Sequence, residues 1–335
     1  MEFRLVTRLA ILGIALLLGA CMPRLQSLGP AAQTGFVEPR IDTNTFVTRD
    51  GLHLGLSKWE ADDPRAILIA LHGMNDYGNA FALPGPWWAE RGLTTYAFDQ
   101  RGHGRSPERG VWPGVDLLTQ DLADFIDVVR RTYPDLPIYA LGHSMGGAVV
   151  MTTLAEGRAE VDGSILVAPA VWGWSTIPFP LDLTLWIAAH TVPTLTVTGE
   201  SLERWPTDNI EVLRAMGRDS NMIFETRFDA IYGVVSLMDR AYDEAGNIPA
   251  PVLLLYGEQD QIIPSRPIED VIERMCPTRR VAIYPNGYHL LLRDLEAEIV
   301  WRDVLSFVLD QVAMLPSSAE NRAFAPHPCP DRAQP

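Results

Sequence analysis

From residue 43 onward, short apolar runs alternate along the chain with segments of helical periodicity. The strand candidates are residues 46–47, 52–56, 66–71, 94–98, 138–141, 164–168, 252–256 and 281–284. Apolar residues recur on one helical face in 116–132, 145–156 and 297–314. Because strands that alternate with helices form mostly parallel sheets, the pattern predicts an α/β fold with helices on both faces of the sheet.

Two stretches interrupt this alternation. Residues 171–247 are long and rich in Trp and Pro, and residues 316–335 are rich in Pro. The first stretch predicts a cap inserted into the core, which divides the core into 43–170 and 248–315. The second predicts a poorly ordered tail.

The N-terminal residues have the pattern of a secretion signal. Arg4 and Arg8 precede the apolar run 9–20, which predicts a signal peptide over residues 1–20. The run is too short for a membrane span, which needs ~20 apolar residues. The sequence Leu-Gly-Ala-Cys ending at Cys21 resembles the bacterial lipoprotein signal, in which the cysteine is acylated and becomes the mature N-terminus. An ordinary signal peptide with an incidental cysteine is the alternative.

Residues 21–42 lack apolar periodicity and predict a tether between a membrane and the domain. Met22 stands where inner-membrane retention signals carry Asp, so we expect the outer membrane, with the protein facing the periplasm. The formal net charge of -15, from 27 Lys and Arg against 42 Asp and Glu, excludes nucleic-acid binding through basic patches. Such a charge also repels anionic lipid, so acyl chains at Cys21, such as palmitate, must hold the protein to the membrane.

The three cysteines give no metal-site spacing, and we expect no metal and no cofactor. With Cys21 acylated, Cys276 and Cys329 remain as an even number in a compartment where disulfides persist. We therefore predict a Cys276 to Cys329 disulfide, with two free thiols as the alternative.

The candidate chemistry centres on the sequence Gly142-His143-Ser144-Met145-Gly146. A Gly-x-Ser-x-Gly motif is weak by itself, but this one lies between a strand candidate and a helix candidate. That context predicts a sharp turn which presents Ser144 as a nucleophile, because glycines two positions away avoid collision with the strand and the helix. A tight turn with an idle serine is the alternative.

A serine nucleophile needs a base, normally a histidine that a carboxylate orients. Of the histidines after Ser144, His190 lies in the predicted cap and His327 in the predicted tail, which leaves His289 as the base. Asp260 follows the strand candidate 252–256 and is the predicted carboxylate, with Glu258 as its competitor.

Backbone N–H groups should bind the oxyanion that develops on the substrate. The Met145 N–H follows the nucleophile, and the Met74 N–H follows strand candidate 66–71. His72 precedes Met74 by two residues, and we assign it a supporting role through backbone hydrogen bonds.

Three motifs in this order carry a family resemblance. They are His72-Gly73-Met74, the octapeptide 99–106 (Asp-Gln-Arg-Gly-His-Gly-Arg-Ser) and the Ser144 motif. Together they resemble the monoacylglycerol lipase and lysophospholipase branch of the α/β-hydrolases, over roughly residues 43–315. The resemblance implies the α/β-hydrolase fold and a serine ester hydrolase that cleaves lipid esters through an acyl-enzyme. Pro107 replaces the third glycine of a dinucleotide-binding loop, so that interpretation of 102–107 fails.

Alternative functions remain open at this point. A general carboxylesterase, an aminopeptidase-like amidase and a non-catalytic binding lipoprotein all fit parts of the pattern. Cap residues Trp172, Trp174, Phe179, Trp186 and Ile187 predict either the wall of a lipid tunnel or the core of the cap. The sequence makes no prediction about the oligomeric state.

Overall fold

A sheet of nine strands forms the centre of the described part of the chain. The structure, a computed structural model, describes residues 23–199, 204–249, 251–275 and 279–322. The strands are β1 (Arg40–Asp42), β2 (Thr45–Val47), β3 (His53–Trp59), β4 (Ala66–Leu71), β5 (Leu93–Phe98), β6 (Ile138–His143), β7 (Gly163–Val167), β8 (Thr196–Val197), β9 (Thr226–Arg227), β10 (Val252–Gly257) and β11 (Arg279–Tyr284). Their order is β1-β2-β3-β5-β4-β6-β7-β10-β11, and β8 and β9 form a separate two-stranded antiparallel sheet. Neighbouring strands are parallel from β5 to β11, which confirms the predicted sheet.

Helices cover both faces of the sheet. They are α1 (Pro84–Ala89), α2 (Val115–Thr132), α3 (Met145–Ala155), α4 (Leu181–Thr191), α5 (Ile210–Met216), α6 (Phe228–Glu244), α7 (Ser265–Arg274) and α8 (Ala297–Leu309). Along β4, Ile67 and Ile69 join one hydrophobic cluster and Leu68 joins the other. The first cluster includes residues of α2, α3, α6 and α7, and the second includes residues of α1 and α8. The central strands β4, β5, β6, β7 and β10 are buried along their whole length. Because both faces of these strands are covered, their sequences are mainly apolar runs and do not alternate.

The last helix ends earlier than predicted. The helical pattern extends to Met314, but α8 ends at Leu309 and the backbone of Asp310 is extended. The Asp310 carboxylate accepts a hydrogen bond from the Val312 N–H, a local turn that competes with the helix. Val312 is 90% exposed and Met314 73% exposed, so no packing energy favours a longer helix.

The segment predicted as a tether is part of the domain over residues 23–42. Gln26 and Ala31 are buried, and the Gly29 N–H donates to Asp50 Oδ2 at 2.7 Å. Strand β1 pairs with β2 in antiparallel register. Contacts through Gln26, Gly29, Ala31 and β1 therefore attach this range to the domain, which corrects the prediction of a tether for residues 23–42.

The predicted tail also begins later than residue 316. The Ser317 N–H donates to Asp303 Oδ1 at 2.9 Å, and Arg280 Nε lies 2.7 Å from Glu320 Oε1. Ala319 is buried against the sheet, so residues 316–320 pack on the core. Cys21, Cys276 and Cys329 lie outside the described residues, as does the chain beyond 322, and the acylation and the disulfide stay predictions.

The region predicted as a cap, 171–247, lies between β7 and β10 and contains α4, β8, α5, β9 and α6 in this order. Helix α6 packs on α3, and its residues Val234 and Leu237 belong to the main hydrophobic cluster. The end of the segment therefore covers the sheet, and only the part before α6 projects from it. None of the helices in the described ranges is long and apolar enough to cross a membrane.

A buried ion pair network joins three separate segments beside the sheet. Arg101, in the loop after β5, donates to both carboxylate oxygens of Asp121 on α2, at 2.6 and 2.8 Å. It also donates to Asp50 in the β2 to β3 turn, at 2.8 Å to each oxygen. The three side chains are 1–2% exposed. Burial opposes ionisation of Asp50 and is the largest single effect on its pKa. Hydrogen bonds from Arg101, Thr48 and the Gly29 N–H, together with the charge of Arg101, outweigh burial and hold the pKa of Asp50 well below its usual range.

Replacing Arg101 with methionine should lower the free energy of unfolding by about 3–5 kcal/mol, because two buried carboxylates lose their counter-ion. Chemical denaturation at neutral pH measures this. Arg131→Met is the matched control, since the Arg131 and Glu38 pair is exposed and should contribute less than about 1 kcal/mol. An equal loss of unfolding free energy in the two variants would contradict a stabilising role for the buried network.

Candidate active site

Ser144 lies at the sharp turn between β6 and α3. Its φ of 52° and ψ of -118° place its backbone in a conformation that residues other than glycine rarely adopt. A Cβ on Gly142 would lie 2.3 Å from the Gly146 oxygen, and one on Gly146 would lie 2.4 Å from the Leu71 oxygen. The turn therefore requires glycine at both positions, and it holds Ser144 at the carboxyl edge of the sheet.

His289 and Asp260 meet at the same edge, in the turns that follow β11 and β10. The His289 Nδ1–H donates to Asp260 Oδ2 at 2.8 Å, and the Asp260 side chain is fully buried. The other oxygen, Oδ1, accepts the N–H groups of Ile262 at 2.7 Å and Ile263 at 3.0 Å. Three donors thus fix the carboxylate. Glu258, the competitor from sequence, is exposed.

Close backbone packing brings the two turns together. A Cβ on Gly257 would lie 2.2 Å from the Gly287 oxygen, so the backbones of the two turns are in direct contact here. The Gln259 N–H donates to the same Gly287 oxygen at 2.9 Å. Because both turns are joined through their backbones, the hydrogen bond between Asp260 and His289 does not depend on side-chain packing alone.

His143 connects the serine turn to the histidine turn, a role that sequence reasoning did not assign. Its Nε2–H donates to the His289 carbonyl at 3.0 Å, and the two imidazole rings lie 4.9 Å apart. Burial lowers the pKa of His143 well below its usual value, so the ring is neutral. In the sequence, only its position inside the Gly-x-Ser-x-Gly motif indicates that His143 lies at the site. The described residues form no hydrogen bond between Ser144 Oγ and His289 Nε2, a contact that often tightens only when substrate binds.

His72 orients the peptide bond that precedes the Met74 N–H. The Gln100 N–H donates to His72 Nε2 at 2.9 Å, so the proton is on Nδ1, which donates to the Gly73 carbonyl at 2.8 Å. Burial lowers the pKa of His72, which keeps this neutral form. Because a trans peptide points its N–H away from its C=O, fixing the Gly73 carbonyl also fixes the direction of the Met74 N–H.

Gly73 brings this peptide against the nucleophile. A Cβ on Gly73 would lie 3.2 Å from Ser144 Cβ. Met145 is the first residue of α3, where backbone N–H groups have no acceptor within the helix and the helix dipole is positive. The Met74 and Met145 amides therefore flank Ser144 from the β4 loop and from the helix.

Asn75 links this loop to the projecting cap. Its φ of 66° is left-handed, and its carbonyl accepts the Ile223 N–H at 3.0 Å. Its Nδ2 donates to Thr226 Oγ1 at 2.7 Å. Cap and oxyanion loop are thus held together next to Ser144, a contact that the sequence did not predict.

The cap carries a large exposed apolar surface. Phe179 is 77% exposed, Trp186 50% and Ile187 46%, which excludes these three residues from a cap core. Further exposed apolar side chains of the same region are Leu181, Leu183, Val192, Leu195 and Phe224. Exposed apolar side chains that are concentrated in one region of a protein commonly contact a ligand, a membrane or a partner.

No group of three or more His, Cys, Asp or Glu side chains in the described ranges could hold a metal ion. The arrangement of Ser144, His289 and Asp260 can perform nucleophilic acyl transfer with groups of the chain itself.

Known proteins resemble this chain over most of its length. A family model described as serine aminopeptidase, S33 matches residues 62–296. A monoacylglycerol lipase of Mycolicibacterium smegmatis is 26% identical over 277 residues, which cover 80% of this chain and 97% of the relative. Phospholipase YtpA of Bacillus subtilis is 30% identical over 254 residues, which cover 74% of this chain and 97% of the relative.

A solved structure of a soluble variant of monoglyceride lipase from Saccharomyces cerevisiae superposes with a TM-score of 0.68. It is 19% identical and covers 81% of this chain and 96% of its own, a likeness that shows the fold. Together these matches confirm the resemblance carried by the three sequence motifs, the α/β-hydrolase fold and an enzyme of the hydrolase class. At the level of the family, the activity is lipid ester hydrolysis.

Proposed function

We propose that this chain, which belongs to the serine aminopeptidase S33 family of α/β-hydrolases, cleaves monoacylglycerol or lysophospholipid esters through an acyl-enzyme on Ser144. The observation that carries the proposal is the 2.8 Å hydrogen bond between His289 and the buried Asp260, next to the strained turn at Ser144.

In the proposed reaction, Ser144 Oγ attacks the ester carbonyl while His289 Nε2 accepts the hydroxyl proton. Asp260 stabilises the imidazolium that forms, and the Met74 and Met145 N–H groups bind the oxyanion. His289 returns the proton to the leaving alcohol as the acyl-enzyme forms. Water, activated by the same histidine, then hydrolyses the acyl-enzyme and releases the fatty acid.

The exposed apolar cap supports a lipid substrate. Phe179, Leu181 and Ile187 lie on the part of the chain that projects from the sheet. Burying these side chains in a lipid aggregate would stabilise the complex by about 25 cal/mol per Å² of apolar surface. A soluble ester would leave that surface in water.

A second candidate is an amidase or a general carboxylesterase. The description of the matched family names an aminopeptidase, and the same triad chemistry cleaves amides and esters alike. Rates on matched esters and anilides separate the two candidates.

For the location, we propose acylation at Cys21 and attachment to the outer membrane, facing the periplasm. Cys21 lies two residues before Pro23, where the described chain begins. The Arg24 N–H donates to Asp229 Oδ2 at 3.3 Å, and Asp229 lies in the first turn of α6, the last helix of the cap region. Because residues 23–42 pack on the domain, an anchor at Cys21 would hold the cap side close to the lipid surface.

Ser144→Ala and His289→Ala should lower kcat by roughly 10⁴ to 10⁶, and Asp260→Asn by roughly 10⁴, without unfolding the protein. Nitrophenyl ester hydrolysis and thermal melting measure both properties. Glu258→Gln and His53→Ala are matched controls on exposed side chains and should keep near wild-type rates. Full activity of Ser144→Ala on every ester would contradict the mechanism. If Glu258→Gln were inactive and Asp260→Asn active, Glu258 would replace Asp260 as the acid of the triad and the rest of the mechanism would stand.

Esters with longer acyl chains should react faster, with kcat/KM rising about fourfold for each added CH₂ until the acyl site is full. A panel of nitrophenyl esters, monoacylglycerols, lysophospholipids and aminoacyl anilides measures this. Rates that fall from the shortest ester onward would favour the carboxylesterase. Preferential cleavage of the anilides would favour the amidase.

Cys21→Ser should move the activity from the detergent phase to the aqueous phase, or leave the precursor uncleaved, because the acyl chains are lost. Detergent partitioning and mass determination of the mature chain measure this. Partitioning that does not change would refute the lipid anchor.

A further inference from the structure

An open cavity in the cap is lined mainly by aromatic rings and one carboxylate. Its lining residues are Trp174, Asp182, Leu183, Trp186 and Tyr232, and its volume is about 380 Å³. These residues come from three segments, namely the chain after β7, helix α4 and helix α6. None belongs to the triad or to the oxyanion loops described above.

The rings are held in place before any ligand binds. The ring centroids of Trp174 and Tyr232 lie 5.0 Å apart, and the Trp174 Nε1–H donates to Ser236 Oγ at 3.0 Å. Trp186 stacks on His190 with 4.3 Å between ring centroids. The His190 ring meets Tyr232 edge-on, with 5.2 Å between centroids. Ligand binding would therefore cost little further side-chain ordering.

The backbone beside Trp174 is also fixed. A Cβ on Gly173 would lie 2.3 Å from Asp239 Cα, so this segment rests directly on α6. The Ser175 N–H and hydroxyl both donate to Asp239 Oδ1 at 2.8 Å. Trp174 is thus anchored on both sides along the chain.

Asp182 adds a carboxylate to the lining of the cavity. Its Oδ1 is buried and accepts no hydrogen bond from any described residue. Burying a carboxylate oxygen without a partner costs free energy, which a cation in the cavity would offset. The formal net charge of -15 attracts cations to the protein as well.

We propose that this cavity, the aromatic cage, binds a quaternary ammonium group. The electron-rich faces of Trp and Tyr attract a cation that has no hydrogen-bond donors, and a nearby carboxylate adds Coulomb attraction. An inorganic metal ion would need several oxygen ligands, whereas the cage offers one carboxylate among rings.

A short stretch of chain connects the cage to the serine turn. The Ala170 N–H donates to the Ser144 carbonyl at 3.0 Å. Trp174 follows four residues later, so at most about 14 Å of chain separates it from Ala170. Resting on the proposed function, we assign the cage to the choline head group of a lysophospholipid. A free cation such as choline itself is the other source of the same chemistry.

Calorimetric titration of the purified full chain with choline and with its neutral isostere dimethylbutanol tests the cage. Choline should bind at least about tenfold more tightly than the isostere, because only choline carries the charge. Asp182→Asn and Trp186→Leu should each weaken choline binding about tenfold. Tyr232→Phe keeps the ring and should bind within about twofold of the wild type. Phe224→Leu is the matched control, since Phe224 is an exposed cap aromatic outside the cage.

Equal affinity for choline and for the isostere, or no binding of either, would overturn the proposal and leave an apolar pocket for acyl chains. Thermal melting of each variant separates loss of binding from loss of folding. The titration involves no hydrolysis, so it decides the cage even if the proposed esterase activity fails.

Kinetics then separate the two sources of the cation. The ratio of kcat/KM for lysophosphatidylcholine to that for lysophosphatidylglycerol of the same acyl length should fall about tenfold in Asp182→Asn, mainly through KM. That result supports the head-group assignment. Loss of choline binding with an unchanged ratio would refute the head group and support a free cation as ligand.

Discussion

The close approach of backbone at Gly142 and Gly146 is the constraint on which the site depends. With no Cβ at either position, β6 turns into α3 around a single residue, and Ser144 takes a φ of 52°. The strain of this turn is tolerated because the parallel sheet beneath it is buried on both faces. A second backbone contact, between Gly257 and Gly287, brings the carboxylate and the histidine to the same edge. Glycine thus sets the geometry at both places, and the reactive side chains follow from it.

Buried polar groups around the site are fixed by defined hydrogen bonds. His72 and His143 are kept neutral by burial, and each donates to a backbone carbonyl, that of Gly73 and that of His289. Neutral imidazole has one donor and one acceptor, so its direction is defined by the groups it meets. Desolvation, which lowers a histidine pKa, therefore helps here to keep the oxyanion loop and the histidine turn in place.

The cap combines two chemically different surfaces. One is the exposed apolar group that includes Phe179 and Ile187, and the other is the aromatic cage with the Asp182 carboxylate. The two surfaces adjoin at Leu183 and Trp186, which belong to both. An amphipathic lipid has the same two parts, an acyl chain and a polar head. Asn75 bonds the oxyanion loop to Thr226 and to Ile223 of the cap region, so the binding surfaces and the reacting groups are mechanically connected.

The sequence by itself determined the strands of the core, the order of serine, acid and histidine, and the class of chemistry. These follow from local pattern, since a buried parallel strand is a continuous apolar run and the serine turn needs glycines at fixed spacing. Only the tertiary structure decided that Asp260 and not Glu258 bonds to His289, and that residues 23–42 pack on the domain. It alone also placed Trp174, Trp186 and Tyr232 around one cavity. Each of these depends on directional contacts between residues far apart in the chain, and no local pattern of hydrophobic and polar positions encodes such contacts.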